Sequence, residues 1–243
     1  LGGDVHYETD PRLIPLLQRS FPEINFFEKN DPPLLNIQKA SFEFQSPSGN
    51  LGRWLRKTEL DFDKTEEFLV ADPSRVAELK KNYKENGKTL VGVAWRSENP
   101  DIGKKKSLNL KQLNDLFKLS NIKFVDLQYG DTSRERRLLF KENGFNIFHD
   151  DEIDQLKSLD NFAAQVAAMD LIVSISNTTA HIAGALGVPV CVMLQKLPDR
   201  RWMMDRNDSP WYKSVRLFRQ EKSNEWEPVV EKVVKQVSIF LRH

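Results

Sequence analysis

The chemistry in this 243-residue chain concentrates in one stretch, Ile175-Ser-Asn-Thr-Thr-Ala-His-Ile-Ala-Gly-Ala-Leu-Gly187. Leu171–Ile175 reads as a buried strand, and Asn177 or Thr178 as the cap of a helix that begins almost at once. The first turn of such a helix has amide N–H groups without intrahelical acceptors, and its aligned peptide dipoles make that end positive. A diphosphate suits such a place. Thr178 and Thr179 add hydroxyl donors, and Ala180, Ala183, Gly184 and Ala185 let the helix lie close to a sheet. Gly187 is predicted to end it. The same pattern also serves a capped, closely packed crossover that holds no ligand. His181 reads first as a structural imidazole and second as a ligand contact, because a helix start disfavours imidazolium.

Three further loops follow predicted strands, where doubly wound sheets bind ligands. After the first come Trp95, Arg96 and Lys104-Lys105-Lys106; Arg96 and one lysine can neutralise phosphate oxygens, or the lysines are a solvated loop. After the second comes Gln128-Tyr129-Gly130-Asp131, able to read and stack a base, or simply to turn. After the fifth comes Asp199-Arg200-Arg201-Trp202, a wall for a sugar or a salt-bridged surface. Gly-x-Gly-x-x-Gly, P-loop and Gly-x-Ser-x-Gly motifs are missing, and four scattered histidines with one cysteine give no metal-site spacing.

The elements that must position these residues alternate regularly from Thr89 onward. Strands are predicted at 89–95, 122–127, 145–148, 171–175, 188–194 and 215–218. Helices are predicted near 110–119, 133–143, 161–169 and 178–186, with a last one at 227–240 that needs a surface to pack on, such as that of a neighbouring domain. Nearly continuous apolar strands with short connections mean a parallel sheet covered on both faces: an α/β, Rossmann-like unit. Asp72-Pro73 opens a helix over 72–86, with Asp as cap and Pro at the first position. Before it, 4–9 and 24–27 read as strands around an amphipathic helix at 11–21. The stretch 31–50 reads as loop with an edge strand at Phe42 and Phe44.

Lys+Arg 36 against Asp+Glu 35 leaves a net charge of +1, which argues against a general nucleic-acid binder. Cys191 lies in an apolar run and reads as a buried inert thiol, in keeping with a reducing cytoplasm. No apolar run reaches the roughly 20 residues of a membrane span. The start lacks a signal-peptide pattern and an initiator Met, so the chain reads as part of something longer.

From about Asp72 to Val234 the sequence resembles the glycosyltransferase domain that follows tetratricopeptide repeats in many bacterial proteins. That domain is similar to the family-9 heptosyltransferases and, more distantly, to the O-linked N-acetylglucosamine transferases. The residues carrying the resemblance are Val91–Trp95, Lys106-Ser-Leu108, Phe124–Gly130, Asp160–Ala164, Ile175–Gly187, Asp199–Trp202, Asp208–Tyr212 and Leu217–Gln220. It implies a GT-B fold, with residues 1–71 as part of an acceptor-side α/β domain and 72–243 as the nucleotide-sugar-binding domain. It implies metal-independent, inverting transfer from a nucleoside-diphosphate sugar, with no separate cofactor, to a glycan, lipid-linked sugar or protein. An upstream tetratricopeptide region is a further implied partner. By position, Asn177, Thr178, Thr179 and His181 would bind the diphosphate and nearby sugar, Trp95, Arg96 and Lys106 the phosphate side, and Gln128 the base. Heptosyltransferases usually carry Asp where this chain has Asn177, and their Gly-rich acceptor loop has no counterpart here. A catalytically silent nucleotide-binding or docking module is the competing reading.

Overall fold

A computed structural model describes residues 3–39, 41–62, 66–85 and 87–242. Five strands, β3 (Thr89–Ala94), β4 (Ile122–Asp126), β5 (Leu171–Ile175), β6 (Val190–Leu194) and β7 (Val215–Arg219), form one parallel sheet in the order β4-β3-β5-β6-β7. The chain runs outward from β3 to one edge at β4, then returns to β5 on its other side. The order therefore reverses between β3 and β5, and the crevice outside the carboxyl ends of those two strands is where sheets of this kind seat ligands.

Alternation along the strands divides the core in two. Leu90, Ala94, Ile172, Val190, Val192 and Leu217 face one apolar cluster; Val91, Val93, Val173, Cys191 and Met193 face the other. Both faces are dry, which is why the strands read as unbroken apolar runs. The first face is covered by α2 (Pro73–Tyr83), α4 (Leu159–Ala167) and α5 (Thr178–Ala185), the second by α3 (Ser133–Asn143), α6 (Glu227–Phe240) and the short helix Asn114–Phe117. Val229, Val230, Val233 and Val237 of α6 bury themselves against this sheet, so its apolar stripe is covered without a neighbouring domain.

The start predicted at Asp72 and the stop predicted at Gly187 hold, while the helix predicted over 72–86 ends at Tyr83. Asp72 accepts hydrogen bonds from the N–H groups of Ser74 (2.9 Å) and Arg75 (3.2 Å), with Pro73 at the first position. Helix α5 closes in a Schellman motif: Val188 N donates to Ala183 O at 3.0 Å, Gly187 N to Gly184 O at 3.2 Å, and Gly187 takes φ 74°. Within α5, a Cβ on Gly184 would sit 2.5 Å from Tyr212 Cγ, so the glycine lets that ring lie on the helix.

Ahead of the sheet, β1 (His6–Thr9) and β2 (Asn25–Glu28) pair in parallel across α1 (Ile14–Ser20). Leu16 of α1 belongs to the same cluster as Leu79 and Phe162, and Arg19 grips Asp160 with two hydrogen bonds of 2.7 and 2.9 Å. Several expectations need correction: the helix expected near 110–119 divides into a 3-10 turn, Leu110–Leu113, and one α turn, Asn114–Phe117, and the stretch 31–50, read as loop, contains the helix Leu35–Lys39. Residues 41–44 form no strand, because no strand among the described residues pairs with them; Phe44 is 91% exposed, and Phe42 meets the His6 ring edge-on. The strand predicted at 145–148 shrinks to one bridge, Val125 with Phe148, as the chain turns away after two hydrogen bonds at the sheet edge. Among the described residues no helix is long and apolar enough to cross a membrane.

Candidate functional site

A cavity of about 640 Å³ opens at the crevice between the ends of β3 and β5. The β3 side supplies Ser97, Asn99 and Lys106; the β5 side supplies Ser176, Asn177, Thr178 and His181; Gln195, Asp199 and Arg201 come from beyond β6. The start of α5 forms its floor. Asn177 caps that helix: its Oδ1 accepts from Ala180 N at 3.3 Å and from the Ser174 hydroxyl at 2.9 Å. Asn177 is 8% exposed, and its Nδ2 has no hydrogen-bond partner among the described residues. The amides of Thr178 and Thr179, at the first two helical positions, have no backbone acceptor either. Thr178 is exposed at the mouth, whereas Thr179 is buried with its hydroxyl 3.4 Å from Leu127 O.

Lys106 makes no ion pair among the described residues. Its ammonium pKa is pushed below the ordinary value, chiefly by burial, with Asp199 opposing and Arg201 adding to the shift. The loop holding it is tied down: Leu108 N donates to Trp95 O at 2.8 Å, and Ser107 Oγ accepts from Ser97 N while donating to Gly103 O. His181 is neutral at physiological pH. Burial above all, then the Arg201 charge, lowers its pKa to about 4. Its ring stacks on Trp202 (4.9 Å between centroids, 18° apart), and its Nδ1 lies 3.2 Å from the Tyr212 hydroxyl.

The remaining expected site residues stand behind the cavity wall. Trp95 is fully buried, and its indole N–H donates to Glu135 at 2.9 Å. Arg96 is engaged by Glu135 and Glu98 and donates to Asp131 O. Gln128, 3% exposed, spends its Oε1 on Trp95 N (3.0 Å) and Arg96 N (2.8 Å) and one N–H of Nε2 on Tyr129 O (3.1 Å), and it does not line the cavity. These three build the loop that carries Lys106. Asp10, a residue of the right type for proton transfer, is held by its hydrogen bonds to Arg12 at a pKa of about 2.

A second cavity of about 860 Å³ adjoins the first and shares His181, Asp199 and Arg201 with it. Its far wall comes from the segment 48–62, including Arg53, Arg56 and Phe62, and its near wall from Trp211 and Tyr212. Asp199, hydrogen-bonded by Arg201 at 2.9 Å, is the one carboxylate lining either cavity among the described residues. Sequence reasoning left several lining residues unremarked, Gln195 and Arg12 among them. Gln195 follows the end of β6, so the strand-end rule would have found it; Arg12 reaches the cavity from the N-terminal segment and carries no such local signal.

Behind the β4 end, the buried Asp126 accepts from Gln128 N (2.9 Å) and lies 3.0 Å from His149 Nδ1. That hydrogen bond raises the His149 pKa above 6.5, with burial partly opposing it. A raised folded-state pKa stabilises the fold fully below 6.5 and ceases to do so as pH rises through the folded value. Wild-type protein should therefore lose, by less than about 1 kcal/mol, stability relative to His149→Gln above neutrality. Urea melts of both proteins at intervals from pH 6 upward check this; parallel curves would refute it.

No family model matches the chain. "Protein FlbA" of Caulobacter vibrioides (strain ATCC 19089 / CIP 103742 / CB 15) is 30% identical over 251 residues, covering 98% of this chain. The chain spans 41% of the length of that relative. Among solved structures, the glycosyl transferase family 9 protein from Veillonella parvula DSM 2008 is similar with a TM-score of 0.53 at 13% identity, over 71% of this chain and 53% of that one. ADP-heptose lps heptosyltransferase II of E. coli gives 0.54 at 12% identity, over 77% of this chain and 58% of the enzyme. At such identities the likeness is one of fold, an α/β architecture of the GT-B kind.

Proposed function

We propose that this chain binds the nucleoside diphosphate of a sugar donor and serves a GT-B-type glycosyltransferase. One observation carries the reading. The helix start at Thr178, the unpartnered Nδ2 of Asn177 and the unpaired Lys106 line one cavity at the switch point of the sheet. In this reading the diphosphate lies on the amides of Thr178 and Thr179 and against Lys106. These fixed donors and the cation stabilise the charge that grows as the bond from anomeric carbon to phosphate oxygen breaks. The acceptor hydroxyl approaches from the second cavity, its oxygen bonds the anomeric carbon with inversion, and its proton passes to the Asp199 carboxylate. Arg201 keeps that group ionised through the neutral range. A neutral His181 packs between the two spaces without repelling Arg201 or Lys106.

The acceptor, whether glycan, lipid-linked sugar or protein, the cytoplasmic setting and an upstream tetratricopeptide region belong to the same proposal. So does transfer by a longer protein, since the curated relative extends well beyond the matched region. A second reading, a nucleotide-binding or docking module without turnover, is favoured by Asn177 standing where heptosyltransferases usually carry Asp. Calorimetric titration with ADP and UDP tests the common ground. Binding of one, competing with its sugar conjugate, is expected, and absence of heat with both would sink the nucleotide reading. Slow hydrolysis of the bound conjugate, lost in Asp199→Asn, then separates the enzyme from the silent module.

A further inference from the structure

We infer that Asn177 and Gln195 form the pair that reads the donor sugar, by hydrogen bonding a hydroxyl or acetamido substituent of its ring; this rests on the donor-binding reading above. The register of the sheet brings the two together. Ile175 of β5 pairs with Met193 of β6, and Asn177 and Gln195 each lie two residues beyond that pair, on neighbouring strand extensions. Strands in a sheet run about 4.8 Å apart, so a substituent of one sugar ring can reach both. Both side chains line the same cavity, and each has a buried polar atom without a partner: Nδ2 of Asn177 and Oε1 of Gln195.

The chemistry of those atoms decides what they take. An N–H can only donate, so the hydrogen bond from Ala180 N fixes the Asn177 carboxamide with Oδ1 on the helix and Nδ2 free as a donor. Gln195 carries an acceptor, Oε1, and a donor, Nε2, beside it, and no hydrogen bond among the described residues fixes which faces the cavity. The cavity's cations, Lys106 and Arg201, suit phosphate, while two carboxamides suit a neutral group that both accepts and donates. A sugar hydroxyl both accepts and donates, and an acetamido group offers its C=O to Asn177 and its N–H to Gln195. Buried polar groups that fit such a substituent also reject a sugar lacking it, because both would then stay unpaired.

The test measures affinities of ADP, GDP and UDP, and of their glucose and N-acetylglucosamine conjugates, for wild type, Gln195→Met and Asn177→Ser. Serine keeps the helix cap while removing Nδ2. For the nucleotide that binds, the conjugate should bind wild type more tightly than the bare diphosphate. Gln195→Met should lose about tenfold of the conjugate's affinity, the worth of one hydrogen bond, and less than about twofold for the bare diphosphate. Asn177→Ser should lower the conjugate's affinity more than that of the bare diphosphate. A preference for N-acetylglucosamine over glucose would assign the acetamido group, and the reverse a hydroxyl. Equal losses for bare and conjugated forms, or no gain from the sugar in wild type, would overturn the pair while leaving the diphosphate site standing. If folded wild type binds none of the probes, the donor reading itself falls.

Discussion

Lys106→Glu is expected to weaken binding of ADP or UDP, whichever binds, by about a hundredfold or more, without lowering the melting temperature. The two halves of that expectation come from one circumstance. Lys106 stands at the cavity with no ion-pair partner among the described residues, its charged form disfavoured by burial, while Asp199 and Arg201 act on it in opposite directions. A charge-assisted hydrogen bond to phosphate is worth about 1.5–3 kcal/mol, and the reversed charge adds repulsion of similar size. In the empty fold little changes, for a carboxylate there gains the Arg201 charge as it loses the Asp199 one. Calorimetry and a thermal melt on the same preparation decide it. Unchanged affinity would remove Lys106 from the site, and a loss matched by a fall in melting temperature would make its role structural.

How much of this was legible beforehand follows from the range over which each feature is encoded. The sheet was readable because Leu171–Ile175 and Val190–Leu194 are buried on both faces and must be apolar throughout. The start and stop of α5 were readable because cap, small residues and Gly187 are neighbours in sequence. Lys106 lines the cavity, as its position after β3 suggested, although the three lysines by themselves pointed more to a solvated loop. Gln128 was misleading for the opposite reason. Its position past β4 suggests a ligand contact, but the two N–H groups that occupy it lie 32 and 33 residues away, on the extension of β3. Register between strands decides such a role, and no local pattern announces it. The segment 48–62 was the least legible: its short turns are held in place by contacts such as Phe62 on Trp211, at 4.7 Å between centroids.

Gln128 therefore carries the second large expectation. Gln128→Leu keeps the apolar bulk but leaves the N–H groups of Trp95 and Arg96 without their acceptor in the interior. Each such donor costs about 1–3 kcal/mol, so a loss of about 3 kcal/mol and roughly 10 °C in melting temperature is expected. The backbone that loses its anchor is the one from which the loop to Lys106 departs, so nucleotide affinity should fall as well, even at temperatures where the variant is fully folded. Gln128→Glu separates the two effects. It restores an acceptor for both N–H groups but places an acceptor where Nε2 now donates to Tyr129 O. Buried there, the carboxyl is expected to ionise above its ordinary value of about 4.3. A group with a raised folded-state pKa loses its stabilising share as pH rises, so Gln128→Glu should melt near wild type in mild acid and well below it at neutral pH. Chemical denaturation of both variants across that range is the measurement. A pH-independent loss in Gln128→Glu, or a Gln128→Leu protein as stable as wild type, would show that the strut between the ends of β3 and β4 is not what holds the loop.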